Sequence, residues 1–473
     1  MLTYDLDRRG KLARYDYLYR CIREDILAGR LTAGEKLPSK RSLASHLQTA
    51  VITVQNAYAQ LEAEGYLYTR EKRGYYVADV ERHPAAPGRA PARSAPQPQR
   101  SWLLDLSSGG SGTEDFPFSV WAKLMRRVLS EEGEALLRAT PPNGADALRR
   151  AIAQHLYRFR GISAAPEQIV VGAGTEYLYN LIVQLLGREA VYGVEDPGYS
   201  KAARIYALGG ARTSPVLVDE GGVSLRSLEM SGAQILHTSP NHQFPTGAVT
   251  PIGRRQSLLR WAEAREGRYI IEDDYDSEFR FTLRPIPTLQ SIDRAGRVIY
   301  VNTFSRTLAP SLRISYMVLP KSLTEHYRAQ LGFYSSTVPA MEQHTLARFL
   351  DEGYFEAHIN RMRKSYRAQR DAVIDTILQS PLGEHCRVSG EDAGLHFLLT
   401  IDTKCTDHVL RADAKGRGVR LSFLSDFALR PGSAPQHTLV IHYPGIDLGR
   451  LRSALSILEA LLYFRDWKYK GRK

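Results

Sequence analysis

The chain has 473 residues, a length that exceeds one ordinary domain core and predicts about three domains. Hydrophobic residues make up 43% and charged residues 24% of it, which is the balance of a soluble globular protein. The net charge of +12 makes nucleic acid a reasonable partner, although charge alone does not establish one.

Three cysteines, Cys21, Cys386 and Cys405, lie far apart and form no CxxC pair, so neither a disulfide framework nor a metal site is expected. Residues 1–10 are polar and lack the apolar core of a signal peptide. No run approaches the ~20 apolar residues that a membrane span needs. We therefore expect a cytoplasmic protein without a membrane partner.

Two helices are predicted near the start of the chain. Apolar residues at helical spacing within Leu18–Ile26, including Cys21, mark one face of the first helix. Ser39, after a proline, is a suitable N-cap for the second helix. In that second helix Leu43, Ala44 and Leu47 are predicted to be buried.

A third helix and a hairpin follow. Thr49 is predicted to open the helix, and Gly65 to stop it with a left-handed cap. Tyr66–Arg70 and Tyr75–Val77 then predict two short strands. Three helices and a hairpin in about 65 residues are typical of a winged helix, whose third helix lies in the major groove of DNA. A small structural domain without nucleic acid would show the same pattern. The apolar face of the third helix consists of Val54, Ala57, Tyr58 and Leu61.

Residues 82–101 are rich in proline, alanine and arginine and have no periodic apolar pattern. This composition predicts a semi-extended linker over residues 81–102, although a long surface loop is the alternative. The linker would separate an N-terminal domain, residues 1–80, from the rest of the chain.

The remaining chain alternates strand-like apolar runs with amphipathic helices, which predicts an α/β domain with a mostly parallel sheet over residues 103–340. A smaller α+β domain is predicted over residues 341–473, ending in a helix near Leu448–Phe464. The predicted strands are Gln168–Gly172, Ala190–Val194, Gln234–His237, Tyr269–Asp273 and Val298–Val301, then Leu395–Ile401, Val419–Phe423 and Thr438–His442.

Four residues in the α/β part are candidates for ligand binding. Gly174 and Thr175 lie between a strand and a helix, where backbone amides can cradle a phosphate. Tyr199 lies in a strand-end loop. Asp273 ends a buried strand, and a carboxylate there would favour a protonated pyridine nitrogen.

The run AGRLTAGEKLPSKRSLASHLQTAVITVQNAYAQLEAEGYL resembles the DNA-binding domain of the GntR family over nearly its whole length. The family often has Ser-Arg-Asn-Thr where this chain has Ala50–Thr53, so an arginine able to contact guanine is missing. We therefore expect a different operator, with contact to thymine methyl groups as one substitute. The resemblance, together with the cationic wing tip, implies that DNA is contacted by Ser39, Lys40, Arg41, Thr49, Val51, Thr53, Lys72 and Arg73.

The motifs EDPGY, HQFPTG, EDDYDSEF and TFSRTLAPSLRISYMVLP resemble fold-type I aminotransferases, and the MocR branch of the GntR family in particular. The likeness extends over most of residues 105–465. It implies that Tyr199 stacks on the ring of pyridoxal 5′-phosphate, Asp273 pairs with the ring nitrogen and Tyr275 bonds the phenolic oxygen. The implied phosphate ligands are Gly174, Thr175, Thr303, Ser305 and Arg313.

Arg306 stands where the family has its catalytic lysine. A deprotonated lysine amine attacks the cofactor aldehyde, whereas a guanidinium stays protonated and is not a useful nucleophile. Two further departures are Gly144-Ala145, where the family commonly has Gly-Tyr, and the strand Thr438–His442, which lacks the arginine that binds a substrate carboxylate. These departures from the family pattern therefore imply a domain that does not transaminate.

These features favour a transcription regulator whose C-terminal part senses an effector and dimerises. Members of the MocR branch are typically head-to-tail dimers. Two ligands stay open: pyridoxal 5′-phosphate held without a covalent link, or another anionic effector near Arg306 and Arg313. An aminotransferase with an accessory DNA-binding domain is the main alternative. A DNA-binding protein whose large domain only dimerises is the other.

Overall fold

The computed structural model describes residues 2–71, 73–80, 102–107, 115–281 and 286–470. The chain divides into two compact units, residues 1–99 and 100–473. The predicted linker, except for Trp102, and the predicted DNA contact Lys72 lie outside the described residues.

The first unit consists of three helices and an antiparallel hairpin, as the sequence predicts. The predicted faces are buried, except that Cys21 and Leu47 are only half-buried. The Ser42 N–H donates to the Ser39 Oγ at 3.1 Å, which confirms the predicted N-cap. The elements are α1 (Arg14–Leu27), α2 (Lys40–His46), α3 (Val51–Ala63), β1 (Leu67–Arg70) and β2 (Gly74–Val77).

The start of α3 differs from the prediction. The helix begins at Val51 with Ala50 as its N-cap, so the expected start at Thr49 is wrong by two residues. The Thr49 N–H instead donates to the Ala44 carbonyl at 3.0 Å and closes the turn after α2. The predicted stop is confirmed: Gly65 has a φ of 80°, which a side chain would disfavour.

The second unit is built on an eight-stranded sheet in the order β4-β11-β10-β9-β8-β5-β6-β7. Neighbours from β10 through β6 run parallel, while β11 and β7 are antiparallel to the strands beside them. The strands are β4 (Ile169–Gly172), β5 (Val191–Asp196), β6 (Arg212–Asp219), β7 (Gly222–Val223), β8 (Ile235–Thr238), β9 (Tyr269–Asp273), β10 (Val298–Thr303) and β11 (Ser315–Val318).

Helices cover this sheet with apolar faces, as alternating strands and helices require. The carboxyl ends of β5, β8, β9 and β10 meet at one edge, because these four strands are parallel. That edge receives the predicted cofactor residues. The helices are α4 (Phe118–Glu132), α5 (Asp146–Arg160), α6 (Thr175–Leu186), α7 (Ser200–Leu208), α8 (Leu225–Met230), α9 (Ile252–Glu263), α10 (Leu289–Ile292), α11 (Lys321–Leu331) and α12 (Ala340–Asp351).

The C-terminal part of this unit contains a three-stranded antiparallel sheet in the order β12-β13-β15. The predicted strand Val419–Phe423 is too long: only β14 is regular, and it pairs with β3. Phe423 makes a single bridge to Leu439, because the chain leaves β14 to cross towards β15. The elements are β3 (Leu104–Asp105), α13 (Tyr354–Leu378), β12 (Cys386–Ser389), β13 (His396–Ile401), α14 (Asp407–Gly416), β14 (Val419–Arg420), β15 (Thr438–His442) and α15 (Leu448–Lys470).

All three cysteines are free thiols. Among the described residues, no helix combines the length and the apolar character that crossing a bilayer requires.

Candidate functional site

The loop between β4 and α6 supports an anion site. Gly174 has a φ of 95° and precedes the first turn of α6, whose N–H groups have no partner within the helix. The guanidinium of Arg313 lies against Gly174, where an added Cβ would come within 2.2 Å of an Nη atom. Arg313 also pairs with Glu176 in the first turn of α6. The structure therefore brings Gly174, Thr175 and Arg313 together.

Asp273 lies at the end of β9. Its side chain is buried, and only one of its two carboxylate oxygens has partners. Its Oδ2 accepts from the Tyr179 hydroxyl at 2.5 Å and lies 3.4 Å from the His237 Nε2. Its Oδ1 is buried and has no hydrogen-bond partner among the described residues. An unsatisfied buried carboxylate oxygen is costly, so it is available for a donor such as a protonated ring nitrogen.

Tyr275 is two residues beyond Asp273, in the loop after β9. Its hydroxyl lies 3.1 Å from the His242 Nδ1, which also lies 3.0 Å from an Asp276 oxygen. His242 belongs to the HQFPTG motif. The hydroxyl predicted to bind a phenolic oxygen is thus oriented by a histidine and carboxylate pair.

Thr303 and Ser305 follow β10 and differ in what their hydroxyls do. The Thr303 Oγ1 accepts from the Ser305 N–H at 3.1 Å and from the Ser315 hydroxyl at 2.7 Å. It also donates to the Ile314 carbonyl at 3.4 Å. The Ser305 Oγ is buried and unpartnered in the described part of the chain. Thr303 therefore orients the Ser305 backbone. Of the two hydroxyls, only that of Ser305 has no hydrogen-bond partner among the described residues.

Arg306 is exposed, and its guanidinium has no hydrogen bond or ion pair to any described residue. Its charge nevertheless reaches two buried histidines. Burial first, and Arg306 second, lower the pKa of His442 to about 4. Burial also holds the pKa of His396 well below its ordinary value, and Arg306 adds to that effect. Arg306 is thus a free cation beside neutral imidazoles.

Tyr199 lies close enough to several of these groups for their charges to affect the pKa of its hydroxyl. Burial raises its pKa to about 12, with smaller contributions from Glu176 and Asp273 in the same direction, whereas Arg306 and Arg313 oppose the rise. Its ring meets that of Phe244 edge to face at 6.3 Å. The structure therefore gathers the eight residues implied to bind the cofactor, together with Arg306, at one edge of the sheet.

Aromatic residues that the sequence did not single out complete the site. The Phe244 ring lies 5.3 Å from the ring of His396 and 6.2 Å from that of His442. Phe244 was inside a quoted motif, and His442 ends a predicted strand, so both positions carried a signal. His242, Asp276 and His396 also bring possible metal-ligand atoms within 4.8 Å of one another, where no metal site was predicted. Hydrogen bonds to Asp276 and to the Pro245 carbonyl occupy one nitrogen of each histidine.

The predicted DNA contacts of the first unit fall at the start of α2, the start of α3 and the hairpin turn. Arg41 and Arg73 are exposed, whereas the Lys40 ammonium lies 5.7 Å from the centre of the Tyr75 ring. Lys40 is thus directed to the hairpin. Thr49 and Thr53 are half-buried.

Two large apolar side chains are exposed at the start of α3. Val51 is 42% exposed and Ile52 is 58% exposed, although neither side chain has a polar group that could form a hydrogen bond with water. Ile52 was not among the predicted contacts. Their exposure at the start of a recognition helix is consistent with apolar contact to base edges.

Two family models match the chain. Residues 14–77 match "Bacterial regulatory proteins, gntR family", and residues 103–410 match "Aminotransferase class I and II". The "Uncharacterized HTH-type transcriptional regulator YdeL" of Bacillus subtilis is 37% identical, with 97% of this chain and 99% of that protein covered. The "Probable rhizopine catabolism regulatory protein MocR" of Rhizobium meliloti is 34% identical, with 96% and 95% covered.

The chain belongs to the MocR-type transcription regulators of the GntR family. Its second unit has the fold-type I aminotransferase fold. Kynurenine aminotransferase of Pyrococcus horikoshii superimposes with a TM-score of 0.68 at 22% identity, covering 78% of this chain and 92% of the enzyme. At this identity the likeness establishes the fold alone. In this MocR-type regulator the GntR domain implies DNA binding, and the large unit belongs to a fold family that normally binds pyridoxal 5′-phosphate.

The residues present fit that cofactor. The free Asp273 oxygen suits its ring nitrogen, and the free Ser305 hydroxyl and the Gly174 loop suit its phosphate. When bound, the cofactor supplies an electron-withdrawing ring and an aldehyde. Arg306 offers no amine to that aldehyde.

Proposed function

We propose that this regulator binds pyridoxal 5′-phosphate non-covalently, does not transaminate, and couples occupancy of that site to DNA binding. Arg306 carries the proposal, because a protonated guanidinium replaces the lysine that transamination requires. The proposed DNA-binding domain is residues 1–80, the linker 81–102, the large domain 103–340 and the small domain 341–473.

In the proposed site, Tyr199 stacks on the ring, Asp273 holds the ring nitrogen and Tyr275 faces the phenolic oxygen. The free Asp273 Oδ1 supports the nitrogen contact, since Oδ2 is already held by Tyr179. The proposed phosphate ligands are Gly174, Thr175, Thr303, Ser305 and Arg313.

A different anionic effector is the second candidate. Its support is the exposed guanidinium of Arg306, which has no ion-pair partner among the described residues and would attract a carboxylate. Such an effector regulates only if it binds one arrangement of the protein more tightly than another.

On the DNA side, the proposed contacts are Ser39, Lys40, Arg41, Thr49, Val51, Thr53, Lys72 and Arg73. We also propose a head-to-tail homodimer, which rests on the family resemblance. Sedimentation equilibrium of the full chain tests the dimer, and a single monomeric species would refute it.

The proposal for the cofactor is tested by equilibrium dialysis of the full chain against pyridoxal 5′-phosphate, followed by borohydride treatment and denaturation. We expect saturable binding that denaturation fully releases. Cofactor that stays attached to the chain after reduction would show that another lysine has taken the missing role. Absence of saturable binding would favour the second candidate.

A further inference from the structure

A cavity lies in the large unit, outside the proposed cofactor site. It has a volume of about 270 Å³ and lies between α5, the start of α13 and the segment after β9. None of the predicted cofactor residues lines it. Its polar lining includes Arg160, Glu278 and Glu356.

Two carboxylate oxygens in this cavity lack partners. The Oε1 of Glu278 accepts a weak hydrogen bond of 3.4 Å from the Asn302 side chain, and the Oε1 of Glu356 lies 3.4 Å from the His155 Nδ1. The Oε2 atoms of both glutamates are buried and without a hydrogen-bond partner in the described chain. Buried carboxylate oxygens are normally satisfied, so both are open to a donor.

Both glutamates lie near cationic side chains. Arg160, whose side chain is 7% exposed, is paired with Asp274. Arg363 uses its Nε to donate to the Glu278 backbone carbonyl at 2.5 Å. Glu356 is faced by His155 and Arg158, and the pKa of its carboxyl lies below its ordinary value although burial opposes this. Burial and the neighbouring Asp274 instead raise the pKa of the Glu278 carboxyl, so an added cation is favoured beside Glu278.

Apolar rings form the rest of the wall. The His155 ring lies 5.0 Å from the ring of Phe159 and 5.1 Å from that of Phe355, and Ile359 lines the cavity beside them. Aromatic faces attract cations, and they also cover an alkyl chain. An apolar wall with open carboxylates suits a ligand that has an ammonium group and an apolar stem.

We infer that this cavity is a binding site for a small primary amine, with the ammonium held by Glu278 and Glu356 and the alkyl part against Phe159 and Phe355. The Arg160 Nε and the Ser277 Oγ, which belong to residues that line the cavity, also lack a hydrogen-bond partner among the described residues. Glu278 and Ser277 lie three and two residues beyond Tyr275. The two sites are thus next to each other along the chain and have separate linings.

The test is isothermal titration calorimetry of the full chain with n-butylamine, butanoate and 1-butanol, three probes of similar length and different charge. We expect saturable binding of n-butylamine at one site per chain, and at least tenfold weaker binding of the other two. The titrations use the full chain freed of pyridoxal 5′-phosphate, because a primary amine condenses with the aldehyde of that cofactor.

Three variants locate the binding. Glu278→Gln and Glu356→Gln keep the shape and remove one charge each, and each is expected to weaken n-butylamine binding about ten- to a hundredfold. Asn360→Trp places a ring at the exposed mouth, so it should block binding without disturbing the core. The matched control is Glu325→Gln on the exposed face of α11, which should bind as the unmodified chain does.

Equal binding of n-butylamine and butanoate would overturn the inference. Unchanged affinity in Glu278→Gln, Glu356→Gln and Asn360→Trp would also overturn it, because the amine would then bind elsewhere. Thermal unfolding of each variant identifies any that fail to fold. If the two glutamate variants fail to fold, Asn360→Trp still tests the inference.

Discussion

The guanidinium of Arg313 lies directly against Gly174, so that a Cβ on the glycine would come within 2.2 Å of an Nη atom. The glycine's φ of 95° would also strain any side chain there. The ion pair between Arg313 and Glu176 holds the arginine over the start of α6, where a phosphate would meet both the helix N–H groups and a cation.

Gly174→Ala is therefore expected to displace Arg313 and weaken pyridoxal 5′-phosphate binding by at least tenfold. Gly187→Ala is the matched control, because Gly187 has a φ of 94° but open space around its Cβ position. Both variants should lose ~1–3 kcal/mol of unfolding free energy from backbone strain. Equal cofactor affinity in the two variants, measured by equilibrium dialysis, would refute the role of this contact.

Arg306→Lys is expected to restore covalent attachment of pyridoxal 5′-phosphate. An amine at position 306 can be deprotonated and attack the aldehyde, which a guanidinium cannot do. After borohydride reduction, peptide mass spectrometry should find the cofactor on the peptide that contains residue 306. Arg306→Gln serves as the control and should remain unmodified. A failure of Arg306→Lys to react would mean that the cofactor does not bind with its aldehyde near this position.

Arg41→Ala is expected to weaken DNA binding to a similar extent for all sequences. A long exposed cation at the start of α2 suits a phosphate contact, which carries no sequence information. The slope of log K against log salt should fall by about 1. Fluorescence anisotropy at several salt concentrations measures this slope, with Arg204→Ala in the second unit as control. An unchanged slope would exclude the phosphate contact.

Ile52→Ser is expected to reduce a preference for thymine. The exposed side chains of Val51 and Ile52 can contact thymine methyl groups, which are absent from uracil. On a duplex selected from a random library, replacing thymine by uracil should weaken binding of the unmodified protein by up to about tenfold. In the Ile52→Ser variant this loss should be smaller, because only Val51 is left to contact the methyl groups. If the unmodified protein is also insensitive to uracil, this mode of recognition is wrong.

His442 should make the large unit sensitive to acid. Burial and Arg306 lower its pKa from 6.5 to about 4, so the unfolded chain binds an extra proton between these values. The stabilisation is therefore complete above pH 6.5 and is lost as the pH falls towards 4, by ~3 kcal/mol for this group. His442→Gln should flatten that part of the stability profile in urea unfolding. His408→Gln, at an exposed position, is the control, and equal profiles for the two variants would contradict the prediction.

The local sequence pattern was sufficient to predict much of the structure of the first unit. The Ser39 cap, the buried face of α3 and the stop at Gly65 depend on spacing and on backbone preferences of single residues, which a sequence displays directly. The start of α3 was misjudged, because Thr49 still belongs to the turn that ends α2, in which its N–H donates to the Ala44 carbonyl five residues earlier.

The sequence by itself determined the winged helix and the α/β sheet, and it has Arg306 where the family resemblance implies a catalytic lysine. These follow from periodicity, from motif order and from the chemistry of one side chain. Tertiary structure alone decided which polar atoms are left without partners. That Asp273 keeps a free oxygen while Thr303 does not, and that Glu278 and Glu356 share a cavity, depends on contacts between residues far apart in the chain. Hydrogen bonds and burial are properties of neighbours in space, and no spacing along one strand or helix encodes them.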